Sequence, residues 1–374
     1  MVTVRDIARV LEKFAPKPLA ESYDNVGLQV GRMETPVSGI LVALDLTHPV
    51  IDEALSAGCN LIVTHHPNIF RPIRSVTSDG YVNGLALRLA ENGLAHYATH
   101  TNLDQVSDGV SFALGRLLGL EKLRVLSPKS DQLYKLVTFV PETHADAVKM
   151  ALGDAGAGQI GAYSHCAFTS VGQGSFKPMQ HANPFLGAPE TYTTVPEIRL
   201  EIEIHRWQLG AMLAVLKQTH PYEEVAYDVY AVQQPSTQFG LGAIGTLSEP
   251  MALEVFLEHV ASKLATKALR FVAPESAQIQ TVAVCGGSGS EFMGLALANG
   301  ADAYVTADFT YHPWFNALDG AGSPRFTVVD AGHYETEWIT EQLLLEVLQP
   351  AFPDLKILRT QTKTNPTRIH VRQS

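Results

Sequence analysis

The chain has 374 residues, too many for one average core, and at ~150 residues per domain it holds two or three. Apolar residues make up 46% and charged residues 17%, the composition of an ordinary folded protein, and 38 acidic against 27 basic residues give a formal charge of −11. That sign disfavours loose electrostatic binding to nucleic acid or anionic membrane, leaving only a local basic patch as a route to nucleic acid.

The first fifteen residues read as a helix with Arg5, Asp6, Arg9, Glu12 and Lys13 interspersed, not as a basic stretch followed by an apolar block, so no targeting segment is expected. No window reaches the ~18 consecutive apolar residues of a membrane helix. Residues 21–31 are turn-rich and lead into a short strand. Residues 39–45 form a buried strand, and 49–57 a helix begun by Pro49. Leu61, Ile62 and Val63 read as a strand buried on both faces that stops at His65, His66 and Pro67. A helix over 79–92 closes on Gly93, a strand covers 94–99, and a helix over 108–118 closes on Gly119. Alternating strands and helices imply parallel pairing and an α/β sandwich.

The same order returns late in the chain, with strands at 280–285, 302–306 and 326–330 and helices at 289–299, 311–318 and 335–348. Residues 53–66 and 295–308 share a pattern of helix end, glycine turn, apolar strand and Thr with polar residues. This reads as a weak internal duplication, against which stands the general likeness of any two βαβ units. Between the halves, strands at 134–140, 166–176, 198–205 and 224–232 and helices at 143–153 and 208–219 give the βαββαβ order of a ferredoxin-like domain. The expected fold class is α/β, with two pseudo-repeated α/β sandwich halves forming one metal-binding core and an inserted ferredoxin-like α+β domain. The seams at 127–130 and 233–236 divide it into 1–127, the insert 128–235, and 236–374.

Histidine and carboxylate end three strands. His65 and His66, adjacent on an extended chain, point to opposite faces and would each serve a different ion of a pair. His333 and Glu337 are four apart at a helix start and stack on one face. Asp104 supplies a carboxylate from the facing half. These five ligands for two divalent ions leave open positions for water, and a bridging Glu suits two-metal hydrolytic sites. Three histidines and two carboxylates suit Zn, Fe or Mn. Each group also has an ordinary reading: a His–His pair alone is more often plain surface or core histidine, Asp104 could cap a helix ahead of Ser107 and Asp108, and His333 with Glu337 could be a polar pair at a helix start. Their joint occurrence at three strand ends favours the metal reading.

The segments 64–67 (Thr-His-His-Pro), 100–104 (His-Thr-Asn-Leu-Asp) and Gly332-His333 with Glu337 resemble the signature of the GTP cyclohydrolase 1 type 2 homologue family, and residues 22–28 resemble its N-terminal motif. The resemblance covers the whole chain, since a subset of that family carries a CutA-like or PII-like insert, whose end residues 220–227 resemble. It implies that His65, His66, Asp104, His333 and Glu337 bind two divalent metal ions per subunit with Glu337 bridging. It also implies that six subunits, a trimer of dimers, assemble as a toroid with the sites facing its cavity. Some relatives have a second histidine where this chain has Tyr334. Asp308, Tyr311 and His312 could contact substrate or support ligands, and His100 could orient one.

Weaker signals remain. Residues 285–291 form a Gly-rich strand-to-helix turn that lacks the Lys-Ser/Thr ending of a P-loop and reads better as a tight turn. His220, Glu223 and Glu224 could form a small metal or ligand site, although His220-Pro221 better suits a helix end. Cys59, Cys166 and Cys285 stand singly, which signals neither a disulfide framework nor a cysteine zinc site and fits a reducing cytoplasm. The functional expectation is a metal-dependent hydrolase of a small molecule or nucleotide using metal-activated water, with His100 and His312 as candidate proton shuttles. The resemblance points to opening of the GTP imidazole ring. The alternative is a non-catalytic metal-handling or small-molecule-sensing scaffold.

Overall fold

The fold is taken from a computed structural model that describes residues 1–234, 236 and 238–370. Pro235, in the second expected seam, therefore lies outside the described residues. The chain divides into two compact units, one built from Met1–Pro128 with Gln238–Ser374 and the other from Lys129–Thr237.

In chain order the first part holds α1 (Val4–Phe14), β1 (Gly27–Val30), β2 (Ile40–Ala43), α2 (His48–Ser56) and β3 (Leu61–Thr64). It continues with α3 (Tyr81–Glu91), β4 (Ala95–Ala98), α4 (Thr101–Asp104), α5 (Val110–Leu117) and β5 (Glu121–Pro128). The middle holds β6 (Leu133–Pro141), α6 (Ala145–Asp154), β7 (Ala167–Phe176), β8 (Thr193–His205), α7 (Leu209–Thr219) and β9 (Tyr227–Val232). The last part holds β10 (Gly240–Ala252), α8 (Leu253–Leu264), β11 (Arg270–Val272), β12 (Gln278–Ser288), α9 (Met293–Ala298) and β13 (Ala303–Ala307). It ends with β14 (Thr327–Asp330), α10 (His333–Glu337), α11 (Thr340–Leu348) and β15 (Ile357–Arg359).

The larger unit carries two sheets, ordered β1-β4-β3-β2-β15 and β11-β14-β13-β12-β10-β5. Each has a parallel run, β15-β2-β3-β4 in the first and β12-β13-β14 in the second; the first is bordered by antiparallel β1 on one side, the second by antiparallel β11 on one side and β10 with β5 on the other. Purely parallel pairing, the sequence expectation, thus holds only for the centres. The central strands β2, β3, β13 and β14 are buried at every residue, as strands covered on both faces must be. Leu41, Ile51, Ile62, Leu85 and Leu89 pack one core on the first sheet, while Val282 and Val305 face one side of the second and Ala283 and Tyr304 the other. The two sheets also exchange strands: β15 joins the N-terminal sheet and β5 the C-terminal one.

Two expected helices differ in the structure. The run 335–348 is broken into α10 and α11, because Trp338 and Ile339 have ψ of −23° and −19°, the tight 3-10 value, and Glu341 N–H donates three residues back to Trp338. Residues 312–317 form a 3-10 helix, a form suited to so short a run entered after Asp308 at φ +59°. Strand β10 escapes sequence reading because glycines punctuate it. At Gly245 a side chain would strike the Glu121 carbonyl of β5, so a glycine there marks close backbone approach.

In the smaller unit the sheet order is β7-β8-β6-β9, all antiparallel. Leu136, Val140, Leu200, Ile202 and Ile204 pack against Val148 and Leu152 of α6 and Met212 and Leu216 of α7. Strand β7, at the edge of the sheet, is exposed along nearly its whole length.

Candidate metal centre

The carboxyl ends of both parallel centres converge, the place where open α/β sheets carry their chemistry. Beyond Thr64 the chain turns out of β3, the Thr64 hydroxyl donating to the His66 carbonyl at 2.6 Å and His66 N–H to Leu44 O at 3.0 Å. His65 is 0% exposed. Asp104 ends α4, and His333 and Glu337 open and close α10, reached from β14 through Gly332 at φ +94°.

Every histidine of this cluster is held from behind through Nδ1. His65 Nδ1–H donates to the Thr99 carbonyl at 2.8 Å, His66 Nδ1–H to Asp45 at 2.6 Å, His333 Nδ1–H to Asp308 at 2.7 Å and His100 Nδ1–H to Asp24 at 2.8 Å. Such partners fix the tautomer and turn Nε2 forward. His66 Nε2 and His333 Nε2 each stand 2.9 Å from Glu337 Oε2 and 3.4 Å from one another. His65 Nε2 lies 3.6 Å from Asp104 Oδ1 and 3.8 Å from Glu337 Oε1. The His65 and His66 rings, 5.0 Å apart, thus diverge to opposite oxygens of one carboxylate.

Three groups have ligand-type atoms within 4.8 Å of one another: His65 with Asp104 and Glu337, His66 with His333 and Glu337, and His65 with His66 and His100. All five residues expected to bind metal are therefore gathered at one point, with His100 beside them. His312 is not among these groups; it is exposed on the 3-10 turn, edge-on to Tyr311 at 5.5 Å.

Burial by itself would raise the Glu337 carboxyl, but hydrogen bonds with His333 and His66 and the nearby imidazole of His65 hold it well below the ordinary carboxylate range. Asp104 is pushed up, first by burial and then by the charge of Glu337. Asp24, although burial opposes ionisation, is held down to about 2 by His100 and Thr101. Two atoms of the cluster are buried without a hydrogen-bond partner, His65 Nε2 and Asp104 Oδ1. Leaving a buried polar atom unpaired costs about 1–3 kcal/mol, and a cation between these two would satisfy both. The donor set, imidazole nitrogen with carboxylate oxygen, suits a borderline divalent ion.

Sequence reading passed over several residues that build the site. Asp24 and Asp45 were seen only as parts of a motif and a strand, although Asp45 follows a parallel strand next to β3, a position that signals a carboxylate facing the same end. Gly287 is the other. Its φ is +62°, and a side chain there would strike Glu337 Oε1, so the Gly-rich turn exists to admit the carboxylate. Gly287 N–H donates to the Thr336 hydroxyl at 3.0 Å, fastening that turn to α10.

Fold and cluster together define a mixed α/β protein with His and carboxylate groups able to hold a metal ion. The chain belongs to the DUF34/NIF3 (NGG1p interacting factor 3) family, whose model matches residues 2–366. It is 40% identical over 366 residues to a Halalkalibacterium halodurans protein described as a GTP cyclohydrolase 1 type 2 homolog, covering 96% of this chain and 97% of that one. A Bacillus subtilis protein of the same description is 39% identical over 370 residues, covering 98% of each. Among solved structures, a Bacillus cereus protein related to NIF3 matches with a TM-score of 0.87 at 37% identity over 99% of both chains. A Staphylococcus aureus protein matches with a TM-score of 0.78 at 29% identity, again over 99% of both. The family resemblance read from the motifs is thereby established. No helix among the described residues is long and apolar enough to cross a membrane.

Proposed function

We propose that the protein is a dinuclear divalent-metal hydrolase. His65, Asp104 and Glu337 would hold one ion and His66, His333 and Glu337 the other, Glu337 being common to both groups. The observation that carries the reading is the pair of buried, unpartnered atoms His65 Nε2 and Asp104 Oδ1 facing Glu337. Bound there, Zn, Fe or Mn would supply Lewis-acid activation of water and of an electrophilic carbon or phosphorus. Thr99, Asp45 and Asp308 orient the imidazoles. His100, its ring 5.2 Å from that of His65 and 5.5 Å from that of His66, and tethered to Asp24, is placed to move a proton at its free nitrogen. His312, exposed to solvent, is the second shuttle in this reading.

A cleft of about 550 Å³ bordered by His66, His333, Arg270, Tyr334 and Asn365 opens beside the cluster and suits a small molecule or nucleotide. The description carried by the relatives points to GTP, whose imidazole ring would open at C8; phosphoester hydrolysis would use the same groups. The test is turnover of a nucleotide and phosphoester panel by protein loaded with Mn²⁺, Zn²⁺ or Fe²⁺. Turnover that vanishes in Glu337→Gln supports the hydrolase, and none on any substrate sinks it.

The second reading, a non-catalytic metal-handling or small-molecule-sensing scaffold, is favoured by a cleft of about 730 Å³ within the unit 129–237. Either reading includes an inserted ferredoxin-like domain over 128–235, supported by the β7-β8-β6-β9 order, between the halves 1–127 and 236–374. The parallel runs β2-β3-β4 and β12-β13-β14 support reading those halves as repeats. A toroid of six subunits follows from the family resemblance and is checked by light scattering. A reducing cytoplasm agrees with the three free cysteines.

A further inference from the structure

The cleft in the unit 129–237 contains an ionisable group that the fold itself leaves underused. Glu197 lies on β8, inside the sheet, and is only 7% exposed. Its Oε1 accepts the Tyr222 hydroxyl at 2.7 Å, and burial together with this carboxyl raises the phenol, which stays a donor. Among the described residues, Oε2 accepts no hydrogen bond and no Lys or Arg pairs with the carboxyl. Arg199, two residues on, is occupied by Glu201 at 2.8 Å. A carboxyl set in a cleft with one oxygen unpaired is available to the N–H donors of a ligand.

The surroundings keep that carboxyl open. Its partner across the ladder on β7 is Gly172, and at Gly174 a Cβ would strike Oε2. Gly174 has ordinary backbone dihedrals, so the glycine is required by space and not by conformation. Beside the carboxyl stands an aromatic wall, with Phe176 and Phe185 at 6.0 and 6.4 Å from the Tyr222 ring. The loop bearing Phe185 is tied down where Asn183 N–H donates to Glu223 at 2.9 Å. His220 is spent on the same framework: it accepts from Tyr222 N–H at 3.1 Å and donates to the Phe139 carbonyl at 3.0 Å. Neither of its nitrogens is free for a metal, so the small metal site considered from the sequence is replaced by a scaffold for Tyr222.

We propose that this cleft is a binding site for a planar aromatic compound bearing two adjacent N–H donors of the amidine type, the donors on Glu197 and the ring against Phe185 and Tyr222. With Oε2 unclaimed and a second lone pair left on Oε1 beside the Tyr222 hydroxyl, the carboxyl can accept from both donors of such an edge, and the aromatic wall supplies the stacking. The site shares no residue with the metal cluster, so its test does not depend on the metal reading.

Benzamidine is the minimal probe, titrated calorimetrically into the full-length protein with benzoate as the charge-reversed control. The expected result is saturable benzamidine binding at about 1 mM or tighter, with none for benzoate. Binding should weaken at least ~10-fold in Glu197→Gln, the loss expected when a charged hydrogen-bond partner is neutralised. Phe185→Ala, a change at a half-exposed loop position that leaves the core untouched, should weaken it several-fold and serves if Glu197→Gln does not fold. Absence of saturable binding to the wild type, equal binding of benzoate, or unchanged affinity in both variants overturns the proposal.

Discussion

Asp45 Oδ1 stands 2.6 Å from Nδ1 of His66, while its other oxygen accepts the Thr364 hydroxyl at 2.5 Å. The carboxylate is thereby anchored on one side and fixes, on the other, which nitrogen of His66 faces Glu337. Asp45→Asn keeps the shape and removes the charge. The expected outcome is metal affinity lowered about 10- to 100-fold, read by competition against a chelator of known affinity. Unchanged affinity would show that His66 does not depend on Asp45 for its ligand role.

If the cluster holds metal in the folded chain alone, saturating metal must stabilise it. At a free concentration 100 times the dissociation constant, the gain is about 2.7 kcal/mol. Thermal melting should rise on adding Mn²⁺ or Zn²⁺ and fall again with EDTA, whereas Glu337→Gln should show little response. An equal rise in that variant would place the bound metal elsewhere.

Gly287 is a sharper probe of geometry than any ligand. Its backbone is at φ +62°, and an added methyl group would collide with Glu337 Oε1. Gly287→Ala should therefore displace Glu337 and lower metal content toward that of Glu337→Gln. Circular dichroism should stay near that of the wild type, because Gly287 lies at the end of β12, beyond the ladder that Val282, Ala283 and Val284 form with β13. Full metal occupancy in Gly287→Ala would contradict this role.

Glu53, on α2, provides a pH test away from the cluster. Burial tends to raise its carboxyl, but bonds from the Thr360 and Thr362 hydroxyls and the Gln361 and Thr362 N–H groups hold it below the ordinary 4.5. A carboxyl lowered by folding contributes stability above its unfolded pKa and loses it as pH falls through the folded value. The wild type should therefore melt above Glu53→Gln near neutral pH, and the gap should close progressively as pH falls below 4.5. A gap independent of pH would mean that packing, not ionisation, is what Glu53 provides.

The legible parts of the fold were those with local signals. Apolar runs gave β2, β3, β13 and β14; glycines after helices gave the ends at Gly93 and Gly119, both at positive φ. Strand β10 was hidden by glycines whose purpose is the approach of another strand, a purpose visible only once β5 is beside it. The helix over 335–348 was read as continuous because periodicity does not report a local change of ψ at Trp338 and Ile339.

At the cluster, chemistry at strand ends was readable one residue at a time. Sequence by itself determined which side chains end the buried strands, His65 and His66 after β3 and His333 after β14, because apolar runs and their interruption are local properties. Tertiary structure alone decided that Asp24, Asp45 and Asp308 stand behind His100, His66 and His333. It also decided that Gly287 makes room for Glu337, that β5 and β15 exchange sheets, and that Glu197 faces a cleft. Each of these joins residues distant along the chain by contacts of a few ångströms, and such pairings leave no periodic trace in the order of amino acids.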